Sequence, residues 1–167
     1  MTLIELLIAI TISSIVLSLI LGSSAFLIRL NRKLDISREL QKEISFAMER
    51  MTDKIHTQSI NYASYNPKSN TPCADQDPSS TNDLCVGDTN FTFQNNMLFE
   101  NKDPLFSKEY QVIKTIFHIT PTKDPVTNFE SENQIQPRVT IFVKVISKES
   151  PEINSEIQTT LSSRQYE

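Results

Sequence analysis

Histidines, cysteines and carboxylates are the side chains with which this chain could do chemistry, and their spacing joins few of them. His56 falls near the end of a predicted helix and His118 inside a predicted strand, neither beside a motif partner. No nucleophile elbow, P-loop, HExxH or CxxC pattern occurs. Glycine is confined to Gly22 and Gly87, so a Gly-rich phosphate cradle is missing. Asp75, Asp77, Asp83 and Asp88 share one polar stretch. Their spacing fits no EF-hand, and a solvated acidic loop is preferred over a calcium site. Asn90-Phe91-Thr92 matches a glycosylation sequon but lies in a predicted strand, which favours a chance match. The expectation is a protein that is not an enzyme, with no catalytic residues, no metal and no cofactor.

Cys73 and Cys85, the only cysteines, stand in a stretch rich in Pro, Ser, Asn and Asp. Two cysteines in one polar loop read first as a local disulfide, and so as an oxidising compartment. By chain-entropy arguments, closing a loop of this size stabilises a fold by ~3 kcal/mol. The alternative is a pair of thiols in a mobile loop. A zinc site would be half built without a nearby His or a third Cys. The net charge of −4 supplies no basic stripe, so no nucleic-acid partner is predicted.

The remaining candidate is Glu5, in the opening stretch "MTLIELLIAI". Between Glu5 and Arg29 no residue is charged. A helix of that length is about 34 Å, enough for a hydrocarbon core of about 30 Å. Thr11, Ser13, Ser14, Ser18, Ser23 and Ser24 interrupt it, with hydroxyls that can bond back to carbonyls or across to a neighbouring helix. The span is too long for a signal-peptide core and lacks a basic flank before it. A carboxylate at its start either faces water at the membrane surface or needs a cationic partner, because an unpaired one at depth costs about 3 kcal/mol. No Lys or Arg precedes Arg29, so the candidate partner is an α-amino group, of this chain or of a neighbouring copy. Met1 then supplies the other half of the pair. Gly22 is the weak point of the helix, costing ~1 kcal/mol relative to Ala. Beside Ser23 and Ser24 it marks either a bend or melted turn, or close helix–helix packing.

The helical pattern continues past the span, with no Pro before Pro67. Leu30, Leu34, Leu40, Ile44, Met48, Met51 and Ile55 recur at helical spacings, and charged residues cover the other faces. One helix from near residue 2 to about residue 58 is predicted, roughly 85 Å long.

"MTLIELLIAITISSIVLSLI" resembles the mature N-terminus of type IV pilins and type II secretion pseudopilins. Those read "FTLIELLIVIAI" after prepilin peptidase removes a leader, and the new terminus is methylated. Thr2, Leu3, Ile4, Glu5 and Leu6 agree in order, and the likeness covers roughly residues 1–30. It implies that Met1 is the first residue after cleavage and the methylated one. It also implies that Glu5 is the assembly glutamate, meeting the N-terminal amine of a neighbouring subunit. Met1 stands where the family usually has Phe, and Gly22 where major pilins often carry Pro. Arg29, Arg32 and Lys33 would by themselves place their side of the span in the cytoplasm. In the family a basic leader dominates and sets the opposite orientation.

Beyond the helix, residues 61–88 read as a long polar loop. "NFTFQNNMLFEN" is a hairpin turning at Asn95-Asn96, with Phe91 and Phe93 on one face. "YQVIKTIFHIT" is apolar on both faces and reads as a central strand. "PRVTIFVKVIS" alternates, with Val139, Ile141, Val143 and Val145 pointing one way, and "SEIQTTLSSRQYE" puts Ile157, Thr159 and Leu161 on one face. The expected fold is α+β and pilin-like: a long N-terminal helix packed against an antiparallel sheet of about four or five strands. The expected divisions are a transmembrane and assembly helix at 1–30, an amphipathic half at 31–60, the disulfide-bearing loop at 61–88 and the sheet at 89–167.

The helix end "ISFAMERMTDKI", the hairpin and the closing "IQTTLSSRQY" resemble the larger minor pseudopilins and minor type IV pilins. The resemblance implies a structural subunit serving pilus biogenesis or type II protein secretion. Its implied partners are other pilin or pseudopilin subunits through the N-terminal helix, the inner membrane before assembly, and prepilin peptidase during processing. The implied location is a single pass through the bacterial inner membrane with the soluble domain extracytoplasmic, and then the filament. The alternatives are a single-span membrane-anchored binding module and a DNA-uptake or adhesion pilin at a filament tip.

Overall fold

A computed structural model describes residues 2–125 and 136–163. One helix, α1, runs from Leu3 to Thr57 without a break. The chain divides into two compact units, Met1–Arg38 and Glu39–Glu167, and α1 changes character between them. In the first unit Leu, Ile and Val point in every direction and are exposed, from Leu3 at 81% to Ile28 at 70%. In the second, Leu40, Ile44, Ala47, Met48, Met51 and Ile55 form one buried face. Their three- and four-residue spacing puts them on one stripe, as an amphipathic helix requires. Lys54 and His56 in the last turn suit the negative end of the helix dipole.

Among the described residues seven strands follow, in two antiparallel sheets where four or five in one sheet were expected. β1 (Leu84–Val86), β2 (Thr89–Gln94), β3 (Met97–Glu100) and β4 (Asp103–Pro104) form the first, in that order. β5 (Tyr110–Thr120), β6 (Arg138–Ser147) and β7 (Asn154–Ser162) form the second. β1 and β4 are too short to show a two-residue period, which hides them in the sequence. The β2–β3 hairpin turns at Asn95 and Asn96, both with positive φ, which Asn tolerates better than most residues. At the β1–β2 turn Gly87 has φ +52°, and a Cβ there would lie 2.6 Å from Gln58 Oε1.

β6, not β5, is the central strand of its sheet. The apolar residues on both faces of β5 have another cause. The register shifts between Val112 and Lys114, so Ile113 is an extra residue that falls on the exposed side. Val139, Ile141, Val143 and Val145 of β6 are all buried, as their alternation predicts. The core joins them to the helix face, to Phe117 and Ile119 of β5, and to Leu84, Phe91 and Leu98 of the first sheet. Arg50 on the helix bonds Glu100 of β3 at 2.6 Å and lies over the Phe46 ring.

The polar segment 61–88 is not a bare loop. It contains a 3₁₀ turn (Tyr62–Tyr65) and β1, and it buries Ser64, Tyr65, Cys73, Thr81 and Asp83. Its polar groups satisfy one another. The Ser64 carbonyl accepts from the Ser69 and Thr71 hydroxyls at 2.6 and 2.7 Å. Asp83 accepts from the Phe93 N–H at 2.8 Å and from the Gln76 amide at 2.6 Å. Cys73 and Cys85 form a disulfide, both cysteines fully buried. Replacing both with Ala is expected to cost about 3 kcal/mol. Thermal unfolding of the double variant and of the reduced parent measures it, and unchanged melting would contradict it.

Burial raises the phenol of Tyr65 to about 12, although the Cys85 N–H that Tyr65 accepts opposes the shift. Burial and the carboxylates of Glu39, Glu109, Glu43 and Glu149 raise Tyr110 to about 12. Both groups are held neutral in the fold but ionise near 10 when unfolded. Their stabilisation is therefore complete below pH 10 and is lost as the pH rises towards 12. Chemical denaturation across that range, compared with a Tyr65→Phe and Tyr110→Phe variant, should show the parent falling more steeply.

Candidate assembly surface on the N-terminal helix

The first turn of α1 is built by Thr2-Leu3-Ile4-Glu5. Thr2 precedes the helix, and Glu5 reaches back so that its Oε2 accepts the Thr2 N–H at 2.8 Å. This is the returning half of a capping box, in which a Glu three residues after Thr satisfies an otherwise orphaned backbone donor. A carboxylate here also favours the positive end of the helix dipole. Glu5 therefore has a partner on its own chain. That partner is a backbone N–H and not the expected cation, and the T-x-x-E spacing carries its signal. Met1, assigned as the other member of the Glu5 pair and as the methylated residue, lies outside the described residues, as do residues 164–167 of the closing segment.

From Leu6 to Ile28 the helix presents apolar side chains with little polar interruption. Thr11, Ser14 and Ser18 bond back to the carbonyls of Ile8, Thr11 and Ile15, and Ser24 to that of Ile20. Bonding back removes most of the cost of taking these hydroxyls into an apolar medium. The helix is long and apolar enough to cross a membrane, with mean hydropathy 2.5 in a window of which none is buried within the chain. Two shallow grooves mark its surface. Ala9, Ser13 and Ser14 lie in one, between Glu5 and Leu17. Ser18, Gly22 and Ser23 lie in the other, with Phe26 and Leu27. The helix passes through Gly22 unbroken, and nothing stands within 4 Å of where a Cβ would be. Small residues of this kind let a second helix approach closely.

The other residues singled out above are dispersed. Asp83 is occupied by its hydrogen bonds to Phe93 and Gln76. His118 sits on the exposed side of β5 with its Nδ1 against the Ser79 carbonyl, and His56 is exposed at the helix end. Asn90 lies in β2. Among the described residues, no three of His, Cys, Asp and Glu are grouped as metal ligands.

Together these features define a generic pilin-like fold: a long N-terminal helix, partly apolar, packed against antiparallel sheet. No family model, curated protein or solved structure matches the chain.

Filling the second groove tests its role. Gly22→Leu should leave unfolding of the Glu39–Glu167 unit within about 0.5 kcal/mol of the parent. Cross-linking between helices in a bilayer should fall, and undiminished cross-linking would remove the groove from the interface.

Proposed function

We propose that the chain is a structural subunit of a type IV filament-class assembly, a minor pilin or pseudopilin serving pilus biogenesis or type II secretion, and not an enzyme. The observation that carries this reading is the exposed apolar surface of α1 from Leu3 to Ile28, joined in one chain to a compact, disulfide-bonded domain. Such a surface must be covered by lipid or by other helices. Before assembly the inner membrane covers it, with the folded domain on the extracytoplasmic side, where a disulfide persists. In the filament, the same helices of neighbouring subunits replace the lipid. Processing by prepilin peptidase leaves Met1 as a methylated N-terminus.

Glu5 sets the register. Its bond to the Thr2 N–H uses one oxygen and holds the carboxylate at the helix start, where the second oxygen can meet the α-amino group of a neighbouring subunit. A misregistered neighbour leaves a charge buried without its counterpart, at a cost of several kcal/mol. Register is thereby selected more strongly than stability is increased.

Two substitutions separate the capping role from the charge. Glu5→Gln retains a capping-box side chain but loses the charge; Glu5→Ala loses both. Both variants should still insert into membrane, and both should enter filaments at least about tenfold less efficiently than the parent. Normal incorporation of Glu5→Gln with loss in Glu5→Ala would reduce Glu5 to a helix cap. Normal incorporation of both would sink the assembly reading. Mass spectrometry of the N-terminus adds a separate check: an unprocessed, unmethylated terminus favours a single-span binding module.

A further inference from the structure

Among the described residues the two sheets present four outer edges; two are closed and a third is too short to matter. At β1, Ile60 bridges Val86, the Asn61 N–H bonds the Cys85 carbonyl, and the Gly87 N–H bonds the Ser59 carbonyl. β4 is only Asp103–Pro104, too short to template another strand. At β5, Phe117 exchanges both backbone bonds with Thr81, the Ile119 N–H bonds the Pro78 carbonyl, and the Val112 N–H bonds the Asn96 carbonyl. The bulge at Ile113 bends that edge as well.

β7 is built differently. All nine of its residues pair with β6 in unbroken register, and none is Pro or Lys. The bonds from the Ser147 N–H to the Ile153 carbonyl and from the Ser163 N–H to the Pro137 carbonyl set the phase of this ladder. Odd-numbered residues of β7 bond to β6, so Glu156, Gln158 and Thr160 turn their N–H and C=O groups outward. Among the described residues, no backbone group bonds to these outward positions. The side chains agree. Inward residues of β6 are fully buried, whereas Ile157 and Leu161, inward on β7, stay partly exposed. On the outer face Glu156 bonds Lys144 on one flank and remains 49% exposed.

We propose that the β7 edge is a docking site for an extended segment of a different polypeptide, added as a further strand. Its chemistry follows from the edge. It is free of Pro, so that its N–H groups meet the outward carbonyls. It carries apolar side chains at alternate positions to cover Ile157 and Leu161. On its other face it carries Lys or Arg opposite Glu156, which then has a cation on each side. That the occupant is not a second copy rests on the filament reading. Antiparallel pairing of β7 with itself turns one domain by half a turn, whereas subunits of one filament share a direction.

The test uses the full chain in detergent micelles and a short fluorescent peptide alternating valine and threonine, with one threonine replaced by lysine. Saturable binding is expected, with new protection from hydrogen exchange at the amides of Glu156, Gln158 and Thr160. The amides of Ile157, Thr159 and Leu161 should be protected with or without peptide. Gln158→Pro removes one outward donor and no bond to β6. It should weaken binding about fivefold to tenfold without lowering the melting temperature. The proposal is overturned if the outward amides are already protected in the free monomer, or if the peptide binds without protecting them or fails to bind. It is also overturned if Gln158→Pro binds like the parent. Self-association that protects the same amides would replace the different polypeptide by a second copy. None of these readouts requires a filament, so a negative result leaves the Glu5 experiments standing. Failure of those experiments would remove only the argument against a second copy.

Discussion

A helix with Leu and Ile on every side cannot stay in water, and that constraint governs the rest of the molecule. Residues 3–28 of α1 are exposed throughout, with no fold of their own to cover them. The hydroxyls that might have kept this surface wet are turned onto the helix backbone at Thr11, Ser14, Ser18 and Ser24. The single carboxylate is drawn onto the first turn by the Thr2 N–H. What is left is a surface that only an apolar medium or other helices can satisfy.

The Glu39–Glu167 unit meets the opposite demand, since it must be stable with a modest core. The buried stripe of α1 supplies one wall, and β5, β6 and the first sheet supply the others. The polar segment 61–88 adds to this body because its side chains bond to one another and to β2, and because the Cys73–Cys85 disulfide ties it to β1. An acidic stretch that reads as a solvated loop is thus engaged in part by the fold itself, through Asp83.

The edges of the two sheets are treated unequally. Residues far away in sequence close the outer sides of β1 and β5, while β7 keeps a regular edge and two incompletely covered apolar side chains. Natural sheets usually blunt a long edge with charge, proline or a bulge.

The sequence by itself determined the elements that depend on near neighbours. The uncharged apolar run after Glu5, continued by helical spacing from Leu30 to Ile55 with no Pro before Pro67, set α1 to within a residue or two of its ends. Asn95-Asn96 placed a hairpin, and strict alternation identified the buried face of β6. The Thr2–Glu5 bond was also legible, as a capping box, because both partners lie within one turn. The tertiary structure alone decided the division into two sheets, the edge position of β5 and the order within segment 61–88. A single extra residue at Ile113 broke the two-residue period and made an edge strand look central. The partners of Asp83, and the pairing of Thr81 with Phe117, join residues whose types carry no local signal of each other. Periodicity reports which face of an element is buried; which edges are covered depends on contacts made only when distant segments meet.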